Sequence, residues 1–143
     1  MQSRRLDTPN ETSFVVVLDD GEEAVESLLG FARDNGITSG RFTGLGAFSS
    51  VVLGFFDFET KDYIRTNLDE QVEVATLVGD FAMKDGAPKL HPHIVVSKRD
   101  GRAYGGHLLE GLVHPTLEVL ITVAPDHLRR ETDPATGLPL LAL

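Results

Sequence analysis

The spacing of apolar positions changes once near the start of the chain and then stays at strand spacing to the end. Phe14–Leu18 is an unbroken apolar run rich in β-branched residues, the pattern of a buried strand. From Val25 the period becomes helical, with Val25, Leu28, Leu29 and Ala32 on one face. Asp20 and Glu23 have capping-box spacing, which predicts Asp20 as the N-cap, and Gly36 stands where a glycine ends a helix. Gly40, Gly44 and Gly46 then lead into the apolar run Val51–Phe58, predicting two strands with a bend or bulge at the glycines. The segment EQVEVATLVGDFAMKDG predicts a long strand, with Val72 and Val74 on one face and Gln71 and Glu73 on the other. Gly79 inside it predicts a bulge or a point of close packing, and DGAP ends it. A histidine-bearing segment, a strand at TLEVLITVA and the tail PDHLRRETDPATGLPLLAL complete the chain. About six strands against one N-terminal helix predict an α+β fold built on a mostly antiparallel sheet.

Composition narrows the classes. The length of 143 residues and the 41% hydrophobic content fit one domain, residues 1–143, with a real core. No apolar run reaches the ~18 residues of a membrane span, and the N-terminal segment lacks the apolar core of a secretory signal. There is no cysteine, so disulfides and thiolate sites are excluded and a cytoplasmic location is the default. Any metal must be held by His, Asp or Glu. The net charge of −9 argues against nucleic-acid binding, which draws on Lys and Arg contacts to phosphates. SKRDGR and HLRR, the two short basic runs, read as solvated turn and terminus charge. GLG at Gly44–Gly46 lacks the Lys-Ser/Thr of a P-loop and no long helix pattern follows it.

The candidate chemistry lies in LHPHIVVSKRDGRAYGGHLLEG, Leu90–Gly111, which holds three of the five histidines. His91 and His93 share a face if the segment is extended, and Pro92 favours that geometry. A hairpin through Arg99–Gly101 brings in His107. A two-residue turn at Asp100–Gly101 pairs Ile94 with His107 and turns its ring away from the other two. A three-residue loop, Arg99–Asp100–Gly101, pairs His93 with His107 and places all three rings on one face. A bulge at Gly105–Gly106 would change either count. Three converging imidazoles suit zinc and leave a fourth position open. His114 and His127 have loop-like contexts and stay outside this set. Glu118, the only charge in TLEVLITV, is either a solvated polar residue or a carboxylate directed at the histidines, orienting a ligand or acting as general base.

HPHIVVSKRDGRAYGGHLLEGLVHPTLEVLITV resembles the signature of the PPC domain, the plants-and-prokaryotes conserved domain. DDGEEAVESLLGFARDNGI and GRFTGLGAFSSVVLGFFD resemble its opening strand–helix unit and Gly-Ala-rich segment, and RRETDPATGLPLLAL its prokaryotic ending. The resemblance implies an α/β fold around an antiparallel sheet, assembly as a homotrimer, and zinc on His91, His93 and His107. In plants the domain follows AT-hooks in nuclear proteins. No Arg-Gly-Arg-Pro core occurs here, so specific DNA binding by this chain alone is not expected. Two functions follow: a trimeric metal-binding domain with a small-molecule ligand or hydrolytic activity, or a structural and protein-interaction module acting as an accessory, DNA-associated regulator.

Overall fold

The computed structural model describes residues 1–124 and 128–142, so His127 lies outside the described residues. In chain order the elements are β1 (Gln2–Thr8), β2 (Glu11–Leu18), α1 (Ala24–Asp34), β3 (Gly40–Asp57), β4 (Asp62–Leu68), β5 (Val72–Lys84), β6 (Ala87–Ser97), β7 (Ala103–Val123), β8 (Arg129–Thr132) and β9 (Pro139–Ala142).

The expectation of an α+β fold on a mostly antiparallel sheet is corrected. The described chain is a β-rich fold: one sheet of nine strands and a single helix of 11 residues. The sheet is mixed, because β8 joins β5 in parallel at Met83↔Arg129. The error has physical sources. Residues read as two strands around Gly40–Phe58 form one 18-residue strand. Its register against β5 slips between Gly44 and Gly46, so the glycines bend a continuous strand. The segment TLEVLITVA is the end of a 21-residue strand that begins at Ala103 and also contains His114. Both chain ends, to which the sequence reading assigns no element, form hairpins. All seven residues of β1 are exposed, so this edge strand pairs through its backbone and leaves no apolar period to read. Among the described residues, no helix is long and apolar enough to cross a membrane.

Helix α1 ends as read, with Gly36 at φ +63 and Ile37 donating its N–H to Ala32 O at 2.8 Å. It starts three residues later than Asp20. Glu23 is the N-cap, its Oε2 accepting from Glu26 N at 2.7 Å. Its other oxygen accepts from Gly111 N at 2.9 Å, which ties the helix start to β7. Asp20 instead faces His114 Nδ1 at 2.9 Å. Leu28, Phe31 and Ala32 are buried, and Phe31 meets Phe14 edge-on at 5.2 Å.

Strand β6 pairs with β5 on one side and β7 on the other, and β3 also pairs with both. Strands β3, β5, β6 and β7 therefore close into a ring. Phe42, Phe48, Leu77, Phe81, Ile94 and Leu108 are buried within the core. Alternation along β6 buries Leu90, Pro92, Ile94 and Val96 and turns His91, His93 and Val95 outward. Gly79 is the close-packing point: a Cβ there would lie 2.3 Å from Phe42 Cζ and 2.5 Å from His91 O.

Candidate metal centre

The β6–β7 turn settles the register. Lys98 N donates to Arg102 O at 2.9 Å and Gly101 N to Lys98 O at 2.9 Å, with Gly101 at φ +82. This is the three-residue loop, with glycine at its left-handed third position. Two of the basic residues at this turn are ion-paired, Lys98 with Glu70 and Arg102 with Asp100. The ladder runs unbroken from Ser97↔Ala103 to His93↔His107, with no bulge at Gly105–Gly106. Gly106 answers to crowding from β3, since a Cβ there would lie 2.8 Å from Gly54 O.

His91, His93 and His107 thus share the outer face of the hairpin. Their ring centroids are 5.1 Å apart for His91–His93 and 5.5 Å for each pair with His107. One ring nitrogen from each lies within 4.8 Å of the others. His107 is half-buried, with the Tyr63 ring 5.0 Å away, and its Nδ1 is buried without a hydrogen-bond partner. Burial, then the charges of His91 and His93, push the His107 imidazole down to about 4. Burial also lowers His91, helped by the Arg130 charge and opposed by Asp80. Both rings are thereby held toward the neutral form that ligates metal.

These residues fit a tetrahedral cation. Zinc bound at ~2.0–2.1 Å by each nitrogen brings ligands to about 3.4 Å from one another, a short closure from the observed spacing.

The surroundings differ from the sequence reading. Glu118 is not brought to the histidines. It is exposed on β7 opposite Val17 and Leu45, and lines a separate depression with Val15, Thr43 and Leu120. The carboxylate beside the triad is Asp80, which pairs with His91 in the β5–β6 ladder. Its Oδ2 lies 3.8 Å from His91 Nδ1, too far for a direct hydrogen bond. Its Oδ1 is ion-paired with Arg130, whose Nη1 donates to Pro139 O at 2.8 Å. Arg130, read as terminal charge, is only 7% exposed. Beside the triad is a cavity of about 350 Å³ lined by Tyr63, His91, His107, Leu109, Arg130 and Leu138 among others.

The sequence carries a signal for Asp80. Asp85 and Gly86 have φ of 52 and 80, a two-residue hairpin turn that pairs Lys84 with Ala87. Counting back along the two strands from that pair places Asp80 opposite His91. Arg130 and Tyr63 had no such signal, because the elements carrying them reach the site by tertiary packing.

The family model of the Plants and Prokaryotes Conserved (PCC) domain matches residues 6–125. A metal-containing protein of Archaeoglobus fulgidus is 34% identical, with a TM-score of 0.85 over 92% of this chain and 93% of that one. A protein of Bacteroides thetaiotaomicron, provisionally described as DNA-binding, is 28% identical, with a TM-score of 0.90 over 98% and 96% of the two chains. The Bifunctional protein GlmU of a Synechococcus strain is 32% identical over 120 residues. That match takes in 82% of this chain and 18% of the GlmU protein, so the chain spans under a fifth of that relative.

Proposed function

This chain belongs to the Plants and Prokaryotes Conserved domain family, and on that premise we propose that it is a homotrimeric metal-binding domain with zinc on His91, His93 and His107. The observation that carries the reading is the convergence of three imidazole nitrogens within 4.8 Å on one hairpin face. The metal content of the Archaeoglobus fulgidus relative supports it.

Zinc held by three histidines keeps a fourth position for water or a ligand and lowers the pKa of a bound water toward neutrality. The protein's own groups prepare the place for it. His107 is held neutral by burial. Asp80, fixed by Arg130, stands where a modest shift would let it accept from and orient the His91 ring. Tyr63, 5.0 Å from the His107 ring, and Leu109 line the cavity beside the triad. These features favour a ligand-binding or hydrolytic site over a purely structural ion.

Exposed apolar residues support self-association. Leu45, Leu120, Val78 and Val95 are 61%, 48%, 45% and 36% exposed. They lie on the outer faces of adjoining strands of the ring, a patch that a second copy can cover. The resemblance supplies the number three.

The second reading, an interaction module acting as an accessory DNA-associated regulator, draws on the Bacteroides thetaiotaomicron relative. A closed fourth coordination position would favour it.

Metal analysis of purified protein after zinc loading, with light scattering on the same sample, tests the proposal. We expect one zinc per chain and the mass of a trimer, and the His107→Ala variant should lose zinc while staying trimeric. Absence of zinc uptake at neutral pH, or a stable monomer, would refute the corresponding half.

A further inference from the structure

We propose that the cavity beside the histidines binds a short-chain monocarboxylate, its carboxylate held by Arg130 and Lys89 and its apolar chain by the leucines of β7 and the β8–β9 hairpin. The proposal rests on the metal reading only for what the ligand would meet at the histidine end.

Arg130 carries the argument. Its side chain is 4% exposed, and two of its three nitrogens are occupied, one by Asp80 and one by Pro139 O. The third, Nε, is buried with no partner among the described residues. A guanidinium N–H in that position calls for an acceptor, and a charged acceptor is the strongest. Arg130 lines the cavity, and its charge acts on both His91 and His107, which places it beside the triad. Lys89 lines the same cavity and has no ion-pair partner among the described residues.

No carboxylate is among the lining residues, although the chain as a whole carries a net charge of −9. Asp80 balances Arg130 through their ion pair, so Lys89 leaves the cavity a single uncompensated positive charge, which suits a monoanion. The opposite wall is apolar: Leu90, Leu109, Leu138, Pro139 and Leu140. The volume of about 350 Å³ is at the small end for ligand pockets, fitting a short chain. One unpaired N–H and one ammonium match a single negative charge. A phosphate dianion would ask for more donors and less apolar wall.

The test titrates butanoate into the full chain, first metal-free and then zinc-loaded, following the leucine methyl resonances by NMR. Butanamide serves as the uncharged analogue and inorganic phosphate as competitor. We expect saturable shifts at Leu138 and Leu140 in the metal-free protein, and butanamide at least about tenfold weaker because the charge-assisted contact is lost. Arg130→Gln should weaken butanoate at least about tenfold and Lys89→Ala about threefold or more. Equal binding of butanoate and butanamide, no saturable shift, or displacement by equimolar phosphate would overturn the assignment. If Arg130→Gln does not fold, Lys89→Ala and the amide decide the matter. Zinc uptake is measured separately on the same samples. Butanoate binding without zinc uptake upholds the pocket and removes the metal, and the converse removes the pocket alone.

Discussion

Replacing Gly79 by alanine should damage both the fold and the metal centre through one methyl group. Gly79 lies opposite Pro92, between the partners of His91 and His93. The added Cβ would sit 2.3 Å from Phe42 Cζ and 2.5 Å from His91 O, where ordinary contact begins at 3.4 Å. The shortfalls are 3.4 − 2.3 = 1.1 Å and 3.4 − 2.5 = 0.9 Å. Phe42 cannot yield easily, being 1% exposed and packed on Phe81 at 5.1 Å between ring centroids. The other contact is backbone. Overpacking of this kind costs ~1–3 kcal/mol, and two unyielding neighbours place Gly79→Ala near ~3. A shift of about 1 Å in β6 far exceeds the ~0.2 Å tolerance of zinc ligand distances, so affinity should fall at least about tenfold. The chain has no tryptophan, so urea unfolding is followed by far-UV circular dichroism, with chelator present and protein concentration fixed. Gly86→Ala is the control: nothing lies within 4 Å of its Cβ, but φ is +80. It should cost ~1 kcal/mol through backbone strain and leave zinc affinity unchanged. A Gly79→Ala loss below ~0.5 kcal/mol, with zinc affinity intact, would defeat the reasoning.

Two further outcomes follow from the site. The folded-state pKa of His107, about 4, is below its ordinary 6.5, so the unfolded chain binds more protons between those values and metal-free stability should fall as pH drops through that window. Solvent screening of the half-exposed ring reduces the contribution to ~1–2 kcal/mol, and His107→Gln should show a correspondingly flatter stability profile across that range; an unchanged profile contradicts the assignment. Asp80→Asn removes the carboxylate beside His91 and should weaken zinc about tenfold or more in a chelator competition, whereas an unchanged affinity would show that Asp80 serves only Arg130.

The site was legible where local rules operate. Pro92 and period-two alternation put His91 and His93 together, and the glycine at Gly101 fitted the three-residue loop that brings His107 opposite His93. The same Asp-Gly dipeptide makes a two-residue turn at Asp85–Gly86, so the dipeptide alone does not fix loop length. The fold class was less legible. An exposed edge strand such as β1 carries no apolar period, and β8 joins the sheet through its bridge to β5 at Met83↔Arg129 and the Arg130–Asp80 pair, contacts that no local pattern announces. Glu118 is a lone charge in the apolar segment TLEVLITV, yet its direction depends on the path of a 21-residue strand far longer than that segment.

The hairpin has a consequence for the order of assembly. His91 and His107 are separated by 107 − 91 = 16 positions, whereas ring closure pairs residues as remote as Gly40 and Val123, 123 − 40 = 83 positions apart. Contacts close in sequence cost little chain entropy and form early, and remote strand pairings form late. The three imidazoles therefore meet in a segment that can organise before the barrel shuts. A metal bound at that stage would act as a nucleus, speeding the slow steps by holding β6 and β7 in register. Zinc should then raise the folding rate and leave the unfolding rate nearly unchanged, because contacts already made in the transition state act on folding and not on unfolding.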